Sequence, residues 1–97
     1  MNQLEILRES LGQCDEIILD ALLMRNRIVE DIMAYKEAND IPILQPEQEA
    51  KQKEWLERRM ADRRHKAEVE DVFGSITQNS KRIQARKLFN YNIAVSY

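Results

Sequence analysis

Residues 4–35 read LEILRESLGQCDEIILDALLMRNRIVEDIMAY, a stretch with no proline and with Gly12 as its only glycine. Apolar residues recur at Leu4, Leu7, Leu11, Cys14, Ile18, Ala21/Leu22, Ile28, Ile32 and Tyr35. Steps of three and four residues align these side chains on one face of a continuous helix. At 1.5 Å per residue such a helix extends about 48 Å. A domain of this chain length has a radius of gyration near 13 Å. The rest of the chain is too short to cover a helix of that length. A second copy of the chain is its natural cover, so the pattern predicts a dimer.

Working outward, Asn39-Asp40-Ile41-Pro42 ends the helix, because Asn and Asp suit turns and the residue before a proline is pushed out of helical geometry. Pro46 suits the first turn of a second helix running to about Met60. A polar connection, Asp62 to Lys66, precedes a third helix over roughly Ala67 to Phe89, and Asn90 to Tyr97 reads as a tail. The chain has 97 residues, 33% of them charged, with two Gly and two Pro. That is one domain, with too few turn residues for a β sandwich or barrel and no Gly-rich dinucleotide turn. The fold class is all-α, with three helices.

The net charge is −2 with both signs interspersed, which is no nucleic-acid footprint. The locally basic run Lys81 to Lys87 reads as a solvated helix face. No apolar run approaches the length of a membrane span, and the first residues lack the basic and apolar segments of a secretory leader. Cys14 has no partner for an internal disulfide and reads as a small core hydrophobe. These features point to the cytoplasm.

Polar residues that share a stripe with apolar ones carry the functional information. Arg25, Val29, Ile32 and Lys36 are spaced i, i+4, i+7, i+11, so Arg25 and Lys36 differ by only about 20° around the helix. Either their stems cover apolar surface while the charged ends reach water, or both cations line a site. Phe73, Thr77, Ser80 and Gln84 lie within about 60° of one another. This polar line is either a solvent face or one wall of a cavity between helices. Arg8 lies about 25 Å along the helix from Arg25. It reads either as a surface arginine or as a contribution to a site on a partner chain. The lone His65, in the polar connection, has no catalytic partner in the sequence.

Taken in order, Leu7-Arg8-Glu9, Asp15, Leu22-Leu23, Arg25, Lys36, Pro42-Ile43, Glu49, Phe73, Ser80 and Gln84 resemble the all-helical, type II chorismate mutases. The spacing agrees through the first helix and into the second, with one small length adjustment before the third. No single residue is specific; the ordered series of Arg, Arg, Lys, Glu, Ser and Gln is. The resemblance implies three helices per chain in an intertwined homodimer. The implied reaction is the intramolecular Claisen rearrangement of chorismate to prephenate, in phenylalanine and tyrosine biosynthesis, with no cofactor and no metal.

It also implies roles. Arg25, and Arg8 from the partner chain, would bind the substrate carboxylates through charge-assisted hydrogen bonds. Lys36 and Gln84 would donate to the ether oxygen as it gains charge. Glu49 would hold the substrate hydroxyl, Ser80 would help with a carboxylate, and Val29 and Ile32 would form apolar wall. Many family members carry an arginine just before this glutamate. Here that residue is Gln48, and Gln45 replaces a residue that is often acidic. Two other readings stand beside the mutase. One is an isochorismate-pyruvate lyase of the same fold, and the other is a non-catalytic helical dimerisation module.

Overall fold

The computed structural model describes residues 1–42 and 45–96, with side chains as far as Arg86. Three helices follow in order: α1 (Gln3–Ala38), α2 (Pro46–Met60) and α3 (Lys66–Ser96). Ile43 and Tyr97, which entered the sequence reading, lie outside the described residues, as does the side chain of Phe89.

α1 starts on a reciprocal cap. The Asn2 Oδ1 accepts from the Glu5 backbone N–H at 2.8 Å, and the Asn2 amide donates to the Glu5 carboxylate at 3.3 Å. Its end is chemical rather than steric. Asp40 takes a left-handed conformation, φ 54°, and the Ile41 N–H reaches back to the Lys36 carbonyl at 2.9 Å. That is a Schellman closure with Asp in place of the usual Gly. It stops the helix before Pro42 is reached, within the turn at residues 39–42 where the sequence placed the end.

α2 begins with Pro46 at its first position, as expected. After Met60 the chain turns through Asp62 (φ 58°) and His65 (φ 61°), residues that tolerate left-handed backbone better than most. His65 is exposed, and its carbonyl accepts from the Val69 N–H at 3.0 Å within the first turn of α3. α3 corrects the sequence reading at its far end. It continues to Ser96 where a tail was expected from Asn90, because no Gly or Pro follows Gly74 to break it.

α1 and α3 pack directly on each other. The core they form is small: Val29 and Met33 are the buried apolar residues among those described. α2 is held against α3 by Trp55 edge-on to Phe73, with ring centres 6.0 Å apart. The Arg59 guanidinium sits 5.9 Å from the Trp55 ring centre. At the turn, Lys66 bridges Glu57 of α2, at 2.7 Å, and Glu70 of α3, at 3.7 Å.

The hydrogen bond from Lys66 is the main reason the Glu57 carboxyl titrates below its ordinary value, and its counterpart raises Lys66. A lowered carboxyl contributes stability above its unfolded value and loses it as pH falls through the folded one. Denaturation of Glu57→Gln should therefore differ slightly from wild type at neutral pH and converge with it in acid. A gap that persisted in strong acid would exclude the pairing. Both side chains are well exposed, so the effect is small.

The molecule extends 60 × 31 × 16 Å with a radius of gyration of 17.8 Å, well above the ~13 Å of a compact chain of this size. The excess is the first half of α1. Every residue from Met1 to Ala21 is exposed, including Leu7 (55%), Leu11 (61%) and Ile18 (55%). Cys14 is exposed with them, which corrects its reading as a core residue of its own chain. Its neighbours on the stripe are apolar, but neither α2 nor α3 reaches them. Among the described residues, no helix is long and apolar enough to cross a membrane.

Candidate active site

The covered half of α1 forms one wall of a cavity of about 400 Å³, within the size range of small-ligand sites. α1 supplies Arg25, Ile28, Val29, Ile32 and Lys36. Gln45, Gln48, Glu49 and Gln52 approach from the start of α2. Thr77, Ser80, Lys81 and Gln84 complete it from α3. Nine of the ten residues given a role in the sequence analysis thus face one space. The tenth, Arg8, is exposed on the uncovered half of α1 and does not line it.

The two open readings of the polar stripes resolve here. Lys36 does not send its head to water: it is 9% exposed, and its Nζ donates to the Gln84 Oε1 at 3.2 Å. Accepting through Oε1 leaves the Gln84 amide nitrogen, with two N–H groups, as a donor. Arg25 is half-buried and donates from Nη1 to the Ser80 hydroxyl. Ser80, 7% exposed, directs its own proton to the Ile76 carbonyl one turn back, at 3.1 Å. The hydroxyl is thereby oriented to accept, and it holds Arg25 in place. Thr77, Ser80 and Gln84 form a cavity wall and not a solvent face.

Glu49 is the one carboxylate among the lining residues, and its Oε1 lies 2.7 Å from the Lys81 ammonium. The rest of the polar lining is cationic (Arg25, Lys36, Lys81) or neutral amide and hydroxyl. Apolar Ile28, Val29 and Ile32 form the floor between the two α1 cations. The arrangement suits a small ring with more than one negative group, gripped by cations at separated points over an apolar surface. Among the described residues, no group of three His, Cys, Asp or Glu side chains could hold a metal.

The model of one family, chorismate mutase type II, matches residues 7–85. The chain belongs to that family. No curated protein and no solved structure matches it.

The matched span of this chorismate mutase family member runs from just before Arg8 to just after Gln84, so it takes in every lining residue, all of α2 and most of α1 and α3. Sequence reasoning missed Ile28, Gln52 and Lys81 as lining residues. Lys81 was findable. Thr77, Ser80, Lys81 and Gln84 are spaced i, i+3, i+4, i+7, one helical face, but the basic run that begins at Lys81 disguised it as surface.

Proposed function

We propose that the chain catalyses the rearrangement of chorismate to prephenate as a homodimer with shared active sites. The observation that carries this is the buried Lys36 joined to Gln84 in a cavity that also holds Arg25. A unimolecular pericyclic step needs no nucleophile and no general base. It needs the reactive conformer held and the charge developing on the ether oxygen met by fixed donors. Lys36 Nζ and the Gln84 amide nitrogen are those donors. Arg25, braced by Ser80, takes one substrate carboxylate. Glu49 accepts from the substrate hydroxyl, while Gln45 and Gln48 offer neutral hydrogen bonds at the α2 edge.

Arg8 enters from the second copy. The exposed apolar stripe through Leu4, Leu7, Leu11 and Ile18 supports that assembly, because a contiguous apolar surface of this length marks an interface. Two antiparallel copies of α1 would cover each other and bring each Arg8 to the other chain's cavity. The cytoplasm is the fitting compartment for this chemistry and for an unpaired cysteine.

Incubation with chorismate and, separately, isochorismate tests the activity. Prephenate formation from chorismate is expected. Pyruvate release from isochorismate with no turnover of chorismate would assign the lyase instead, and a protein inert toward both would leave a dimerisation module.

The donor role of Gln84 has its own signature. Gln84 is neutral at every ordinary pH, so activity should not require acid. A glutamate at this position donates only when protonated, and Lys36 at hydrogen-bonding distance favours its ionised form. The pH optimum of Gln84→Glu is therefore expected to move to acid, and an unchanged profile would count against the role.

A further inference from the structure

The basic run Lys81 to Lys87 does not behave as one surface. Arg82 and Arg86 are exposed, and Arg82 donates to the Asn79 side chain at 3.2 Å on the outside of α3. Lys81 faces the other way, toward α2. It lines the cavity, and its ammonium is 2.7 Å from Glu49. At position 48, next to this glutamate, the chain has a neutral glutamine that also lines the cavity. The start of α2 thus lines the cavity with no cation, and the cation that meets its glutamate comes from α3.

We propose that Lys81 is a substrate-binding residue, which binds a carboxylate of the substrate and holds Glu49 for the substrate hydroxyl. This rests on the function proposed above. The ammonium has three N–H groups, so the one bonded to Glu49 leaves two for a ligand. Without Lys81, Glu49 would present an uncompensated negative charge to a dianionic substrate. With it, the glutamate keeps its acceptor oxygen and loses most of its repulsion. An ion pair this exposed, with 36% of the lysine and 43% of the glutamate side chain open, contributes little to folding. Its effect falls on the ligand. A lysine is a point charge on a flexible stem, without the fork of an arginine. Lys81 therefore attracts the carboxylate without fixing its orientation.

The test uses Lys81→Met, which keeps the stem and removes the charge, and the double variant Gln48→Arg/Lys81→Met. Turnover of chorismate is measured together with calorimetric binding of a bicyclic dicarboxylate ether that mimics the rearranging substrate. Lys81→Met is expected to raise KM and the analogue's Kd by about ten- to a hundredfold, as for loss of one charged hydrogen bond, with kcat changed much less. The double variant is expected to recover most of that loss, which a purely structural lysine would not permit. Unchanged KM and Kd in Lys81→Met, or losses that the arginine does not repair in a protein with wild-type helicity, would overturn the assignment. A wild type that rearranges chorismate while Lys81→Met binds normally refutes Lys81 alone. A wild type that neither binds the ether nor turns over chorismate refutes both readings.

Discussion

Replacing Lys36 by alanine is expected to lower kcat by about two to three orders of magnitude, the usual cost of removing one donor from a site of developing negative charge. The ether oxygen carries little charge in the ground state, so a donor aimed at it acts mainly on the transition state. The loss should therefore appear in kcat and kcat/KM together, with KM moving far less. Lys36 also packs: it is 9% exposed, and its Nζ bonds Gln84 at 3.2 Å. Alanine would leave a gap and an unmet Gln84 acceptor, which costs stability as well. Lys36→Met separates the two effects by keeping the volume while deleting the charge. The same kcat loss is expected in both variants, with a smaller stability loss in the methionine one. Wild-type kcat in Lys36→Met would remove Lys36 from the chemistry.

Arg25 should behave differently. Its guanidinium is proposed to grip a carboxylate present in substrate and transition state alike. Arg25→Ala is therefore expected to lower kcat/KM by about a hundredfold or more, with a large part of the loss in KM. Arg25→Lys should recover only a fraction, because a single ammonium cannot pair both carboxylate oxygens as the fork does. It would also lose the Nη1 bond to Ser80 that sets the direction of the side chain. Full activity in Arg25→Lys, read by steady-state kinetics, would mean that charge without orientation suffices.

Much of this fold was legible in the sequence. The stripe from Leu4 to Tyr35 and the proline at position 46 carry α1 and the start of α2, because helical periodicity and proline chemistry are local. The ends were less legible. α1 closes through a left-handed Asp40, a conformation that composition does not announce, and α3 outruns Phe89 because nothing in residues 90–96 forces a stop.

The site was legible only in part, for a physical reason. Spacing places Arg25 and Lys36 on one stripe, but burial depends on what α2 and α3 bring over it. How either helix lies over α1 is out of reach of a periodicity argument. Cys14 fails in the opposite sense: it sits on an apolar stripe, yet no element of its own chain covers it. The family resemblance suggested the roles now proposed, and Lys81 escaped both it and the spacing because its neighbours in sequence are surface cations.

The central claim joins the cavity to a second copy of the chain through Arg8. It is tested most directly by mixing Arg8→Ala and Arg25→Ala proteins, each nearly inactive alone, after subunit exchange has been verified. In a two-fold symmetric dimer with sites completed in trans, half of the dimers are mixed. One of the two sites in each mixed dimer then has both arginines. The account predicts recovery to about one quarter of wild-type chorismate turnover; no recovery above the parent variants, despite exchange, would contradict it.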